Sequence, residues 1–210
     1  MANQGFLGRN RKGIGRIFLS KRGVFALLLI FSLLFLFIST PTTFRVLDAK
    51  TKQPIEGAVA LVEWTSTGGL PGLSHTKTAK LAEDVSNSNG KLTIPGTWGR
   101  LALQTPHIKV YKPGYVGWDS RSIYLGYLGN DIRVDHSKKR TDFSMKNQNI
   151  FLEPWDEKKH SYISHGHFIS VIIDFRDVGS TGSELKYFKA IHYEIPYKRH
   201  EWNIIDLQGK

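Results

Sequence analysis

Three histidines in the run 160–167, His160, His165 and His167, form the densest group of potential metal ligands in the chain. Asp156 or Glu157 could add a carboxylate, and imidazole with carboxylate suits a divalent ion such as zinc. The spacing decides whether they can act together. On a strand, His165 and His167 would point to one side; on a helix, residues two apart diverge. The segment reads as helical at its start, which makes these histidines surface groups or internally satisfied ones. No metal and no cofactor is therefore assigned, and the three histidines stand as the only metal candidates.

Other chemistry is thinly represented. The sequence has no phosphate-cradling glycine loop, no serine nucleophile elbow and no metalloprotease helix. It has no cysteine, which excludes disulfides, thiolate metal sites, a cysteine nucleophile and a lipidated-cysteine anchor. Seven aromatics, Trp64, Trp98, Tyr111, Tyr115, Trp118, Tyr124 and Tyr127, could build a sugar-binding platform or fill a core. Lys138-Lys139-Arg140 reads as a solvated basic loop, able to touch anionic lipid only if held near a membrane.

Charge is distributed unevenly. Of 29 basic residues, six (Arg9, Arg11, Lys12, Arg16, Lys21, Arg22) precede the first apolar run, while all 18 acidic residues lie at or beyond Asp48. The remainder holds 23 basic against 18 acidic residues, a formal +5 out of the total +11. That excess does not make the body a nucleic-acid binder, since such proteins concentrate charge on one face. Between Gly23 and Phe44 no residue is charged, and Val24–Ile38 is almost wholly apolar. With its ends at the interfaces, such a run is long enough to cross a bilayer as a helix. The basic arm precedes it, so residues 1–22 are expected in the cytoplasm and the rest outside. A cleaved signal peptide has the same charge order. The exit Phe37-Ile38-Ser39-Thr40-Pro41 lacks a small-x-small cleavage pair, so an uncleaved signal anchor over 23–41 is expected.

The stretch after the apolar run alternates short β-rich segments with turn signals. Strands are expected at Thr42–Leu47, up to Trp64 after Gly57-Ala58, at Thr76–Val85, at Lys91–Ile94 across an Asn89-Gly90 hairpin, at Ile108–Tyr111, from Tyr115 to Trp118, and at Asn149–Leu152. Thr65–Ser74 and Trp98–Pro106 read as loops. Short strands without intervening helices predict an antiparallel sandwich.

Five motifs in this order carry a resemblance: Val46-Leu47-Asp48, Gln53-Pro54-Ile55-x-Gly57-Ala58, Asn89-Gly90-x-Leu92-x-Ile94-Pro95, Val110-x-Lys112-Pro113-Gly114-Tyr115, and Ile150-Phe151-Leu152-Glu153-Pro154. Residues 43–154 thereby resemble the carboxypeptidase regulatory-like domain. The resemblance implies a transthyretin-like (prealbumin-like) seven-stranded β-sandwich and no catalysis of its own. A transthyretin-like relative, hydroxyisourate hydrolase, is an enzyme with a Tyr-Arg-Gly-Ser C-terminus. This chain ends Ile205-Asp206-Leu207-Gln208-Gly209-Lys210 and lacks that motif. Asp119–Gln148 is longer than the family's connection before the last strand and reads as an insertion.

Beyond Pro154 the pattern changes. Thr181-Gly182-Ser183-Glu184 matches a capping box, and Leu185, Phe188, Ile191 or His192, and Ile195 follow at helical spacing until Pro196. The tail, with Trp202, Ile204, Ile205 and Leu207, is expected to dock. The organisation expected is a basic arm over 1–22, a transmembrane signal anchor over 23–41, a carboxypeptidase regulatory-like β-sandwich over 42–155 and a helical appendage over 156–210. The role expected is that of a non-catalytic protein of the bacterial inner membrane, N-terminus cytoplasmic and C-terminal domain periplasmic. It would serve as a protein-interaction or structural module without nucleic acid. Its expected contact is the 119–148 insertion, through Tyr124, Leu125 and Tyr127, to another envelope protein. The alternatives are a carbohydrate- or peptidoglycan-binding module and, third, a transthyretin-type hydrolase.

Overall fold

The computed structural model describes Val24, Leu29 and residues 38–70, 73–126, 137–145, 149–171 and 184–208. The chain divides into two compact units, Met1–Leu36 and Phe37–Lys210. Of the first, only Val24 and Leu29 are described, both helical and exposed. Most of the expected span over 23–41 lies outside the described residues. Among the described residues, no helix is long and apolar enough to cross a membrane.

The second unit is mainly β. One sheet has the order β4–β1–β9, built from β1 (Thr42–Asp48), β4 (Lys91–Ile94) and β9 (Asn149–Leu152). The other has the order β3–β2–β5–β6, built from β2 (Val59–Gly68), β3 (His75–Val85), β5 (His107–Tyr111) and β6 (Trp118–Asp119). Period-two alternation sends Phe44, Val46, Leu92, Ile94, Ile150 and Leu152 from the first sheet into one core. There they meet Ala60, Val62, Trp64, Ile108 and Val110 from the second, with Ala58 just before β2. The two sheets thus form facing layers. Within the 119–148 segment, β7 (Ser122–Tyr124) and β8 (Ser137–Lys139) pair as a separate antiparallel ribbon.

β2 explains the rest of the architecture. It is apolar on both faces, the mark of a strand covered on both sides. Its second face, Val59 and Leu61, joins Tyr111, Val116 and Tyr124 in a second core closed by Phe168, Ile169 and Tyr187. Those last three come from α1 (Tyr162–Ile169) and α2 (Lys186–Ile191). A 3-10 turn, His192–Glu194, then leads into α3 (Ile195–Gln208).

Several expectations are corrected. Thr65–Ser74 is not all loop: β2 runs to Gly68 and pairs with β3 through a bulge at Trp64/Thr65. Lys91–Ile94 does not pair across Asn89-Gly90. The turn itself forms, with Gly90 at φ +71 and the Asn87 Oδ1 accepting from Asn89 and Lys91 N–H groups. It switches layers instead, so β4 pairs with β1 and Leu92 and Ile94 reach the shared core. The layers are not wholly antiparallel, because β9 lies parallel to β1. The strand expected over Tyr115–Trp118 shrinks to Trp118–Asp119. Thr181–Ser183 of the expected capping box lie outside the described residues, and the start of α2 is held from a distance. Leu185 makes no side-chain cap; Glu83 of β3 accepts from Lys186 N at 3.0 Å and Tyr187 N at 2.7 Å. Pro196 does not end the helical run. It sits in the first turn of α3, where its missing N–H costs nothing.

Candidate functional site

α1 carries His165 and His167, and its helical period separates them, while His160 lies just before the N-cap Ser161. His165 is wholly buried, His167 is exposed and His160 is half-buried. They do not converge, and among the described residues no group of three His, Cys, Asp or Glu is placed to hold a metal ion. His160 accepts from Asp156 N at 3.0 Å, and burial pulls its imidazole below the usual histidine range.

His165 instead anchors a buried polar triad. Its Nε2 accepts from Gly117 N at 2.8 Å. The proton therefore sits on Nδ1 and is donated to Glu194, 2.9 Å from Oε1. Tyr111 donates its hydroxyl to the same Oε1 at 2.9 Å. Glu194 is 1% exposed, and burial, then the Glu194 charge, push the Tyr111 hydroxyl far above the usual tyrosine range. Rings of Trp155 and Tyr124 meet the imidazole edge-on at 5.1 and 5.2 Å. A carboxyl–imidazole pair resembles a general-base assembly. Here the nitrogen that would take a substrate proton is occupied by a backbone N–H in a closed core. The triad is a structural clamp joining β5, α1 and the turn before α3.

A second acid–histidine array lies on the same sheet. His107 Nε2 is 2.8 Å from Asp119 Oδ2, Lys109 Nζ is 3.3 Å from that oxygen, and His107 Nδ1 is 4.0 Å from Glu63 Oε2. Burial raises the Asp119 carboxyl, but the His107 hydrogen bond, the charges of His107 and Lys109 and the Arg121 N–H outweigh it and hold the group below the usual range. Lys109 also donates to Phe168 O and Ser170 O at the end of α1. Sequence reasoning missed this array. Its only trace was the alternation His107-x-Lys109-x-Tyr111, which puts three polar tips on one face of β5.

The accessible feature beside the clamp is a groove of about 310 Å³ between α1 and α3. Trp155, His160, Tyr162, Tyr197, His200 and Ile204 line it, with Glu157 and Glu201 at its rim. Trp155 stacks on Tyr162 at 4.2 Å, and Tyr162 on Tyr197 at 4.8 Å. Burial, followed by the charge of Glu194, pushes the Tyr162 hydroxyl up to about 12. Glu201 accepts from Ile163 N at 3.0 Å and pins α3 to the start of α1. The Trp155 Nε1 is the one buried side-chain N or O without a hydrogen-bond partner among the described residues.

The expected contact residues separate. Tyr124 is 8% exposed, packed in the second core, with its hydroxyl near Ser161 O at 3.3 Å. It has no side-chain surface to offer a partner. Leu125 is 39% exposed, and Tyr127 lies outside the described residues. Its neighbour Gly126 adjoins the groove: a Cβ there would lie 3.4 Å from the ring of His160. Of the other aromatics considered for a platform, Trp64, Tyr111 and Trp118 are buried, Tyr115 is half-buried, and Trp98 alone is exposed. In the basic run, Lys138 and Lys139 are exposed, whereas Arg140 donates to Asp119 O and lies over the Trp118 ring. No family model, no curated protein and no solved structure matches this chain.

Proposed function

We propose that this protein is a non-catalytic, membrane-anchored envelope module that binds a helix of another envelope protein along α3. One observation carries the reading. Tyr197, His200, Ile204 and Leu207 of α3 fall at 3-4-3 spacing, Tyr193 in the 3-10 turn before them lies four residues ahead of Tyr197, and all five are exposed. That spacing makes a single seam, which suits knobs-into-holes packing against a partner helix. The seam includes three residues of the groove wall, so the contact expected in the 119–148 segment is re-centred on α3, with Leu125 the exposed residue that remains of it. The fold proposed is the transthyretin-like sandwich of the carboxypeptidase regulatory-like resemblance, supported by two facing sheets with a shared core. The anchor and the inner-membrane topology rest on the apolar run over 24–38 and the basic arm before it. Confinement to a bilayer raises the effective concentration of a membrane partner, so a short seam suffices.

The test is photo-crosslinking in cells from positions 200, 204 and 125, with position 139 on β8 as control. Seam positions 200 and 204 and position 125 should trap the same envelope protein and position 139 should not. A reporter active only outside the cytoplasm, fused after Lys210, should be active. A second reading, carbohydrate binding, is favoured by Trp98, 83% exposed, next to a cavity of about 410 Å³ lined in part by Ser39, Thr40, Thr97, Gln104 and Thr105. Crosslinks from position 98 to glycan, with none from the seam, would put that reading first.

A further inference from the structure

We propose that the solvent face of the β4–β1–β9 sheet holds a phosphate-type oxyanion between Arg45 and Lys91, a site separate from the α3 seam. The register carries the inference. Arg45 stands directly opposite Lys91 on one side and Asn149 on the other. Phe44, Val46, Leu92 and Ile150 are buried in the core. Alternation therefore sends Arg45, Lys91 and Asn149 outward in one row, and all three are exposed. Like charges directly opposite on neighbouring strands repel. Among the described residues no carboxylate pairs with either cation. Asp84, which meets β4 at Thr93 N, belongs to the other sheet.

The row borders an open concavity of about 420 Å³ lined by Thr43, Phe44, Arg45, Asn89, Lys91 and Asn149. Its polar side chains are a guanidinium, an ammonium, two amides and a hydroxyl, with no carboxylate among them. A planar guanidinium fork and a mobile ammonium together suit an anion with several equivalent oxygens. A bridging phosphate group turns the Arg45–Lys91 repulsion into two attractions.

The test follows acylation of Lys91 by an amine reagent in the full chain, read by peptide mass spectrometry, with exposed Lys139 as internal reference. The chain is held in nanodiscs of zwitterionic lipid with chloride, in the same nanodiscs with inorganic phosphate at equal ionic strength, and in nanodiscs containing phosphatidylglycerol with chloride. At least threefold slowing at Lys91 relative to Lys139 is expected. Slowing with inorganic phosphate identifies a soluble phosphate source, and slowing only with phosphatidylglycerol identifies the lipid headgroup. Arg45→Ala should abolish the slowing while melting no lower than the parent in chloride, because it removes a like-charge neighbour. Arg45→Gln gives the same readout with the side-chain length largely kept. Equal rates at Lys91 and Lys139 in every arm, or undiminished protection in both Arg45 variants, would overturn the site.

Discussion

Glu194 brings a carboxyl into an apolar core where, among the described residues, two side-chain donors receive it, the Tyr111 hydroxyl and His165 Nδ1. Removing either leaves a buried polar group short of a partner, which costs more than the hydrogen bond itself. Tyr111→Phe should therefore destabilise by about 1.5–3 kcal/mol. His165→Ala should cost more, since it also opens a cavity and orphans Gly117 N. Urea unfolding of both variants checks the order. The other array gives a pH dependence. Asp119 titrates below its ordinary value of 3.8 in the folded chain. Its contribution is therefore fully present above that value and is lost as pH falls through the lower folded value. Parent and Asp119→Asn chains should differ in melting temperature near neutrality and converge below pH 4. Equal separation at all pH values would remove Asp119 from the account. At this scale the sequence was a poor guide. The histidine cluster was visible, but Glu194 lies 29 positions from His165 and Tyr111 a further 54 positions before it. No local pattern marks a contact that exists only after three elements have packed.

Elements were more legible than contacts, because alternation and turn residues act locally. β1, β4, β5 and β9 fall within a residue or so of expectation, each marked by alternating apolar residues and a turn. The failures share a cause. Asn89-Gly90 encodes a tight turn, but not which strand lies beyond it; the demand that Leu92 and Ile94 be buried chose β1. Threonine and glycine in Thr65–Gly68 looked like loop, yet pairing with the long β3 kept them extended. The start of α2 shows the same dependence on distant partners. Glu83 takes two of the helix's free N–H groups, a capping role usually given to a side chain just before the helix. Glu83→Ala should cost about 1 kcal/mol, as loss of a cap does. It should also raise hydrogen exchange at Lys186 and Tyr187 N–H, while exchange in β4 stays unchanged. An unaltered exchange rate at those two amides would show that another group caps α2.

The C-terminal quarter looked in sequence like an appendage on a finished sandwich, and the packing of β2 argues for a closer dependence. Val59 and Leu61 face away from the inter-sheet core, and Tyr187, Phe168 and Ile169 cover them. Stripped of α1 and α2, the four-stranded sheet would show water a continuous apolar face, including Tyr111, together with an unpaired Gly117 N. Burying one large apolar side chain contributes about 1.5–3 kcal/mol, and the helices supply three that are nearly inaccessible to solvent. The sum is comparable with the whole stability of an ordinary domain, about 5–15 kcal/mol. A chain ending at Pro154 should therefore fail to reach the cooperative melt of the full chain. It should bind hydrophobic dyes and be cut within β2 and β3 by low protease, whereas the full chain should be protected there. Ending the chain at Ile191 should give a different failure. α2 would remain to cover Val59 and Leu61, but Glu194 would be gone, so His165 Nδ1 and the Tyr111 hydroxyl would lose their shared acceptor. That form should keep a β-rich circular dichroism spectrum with a lowered melting temperature and lose every crosslink from the α3 seam. If the chain ending at Pro154 melts cooperatively near the full-length temperature, the second face of β2 does not need its helices, and the two-sided reading of this sheet fails.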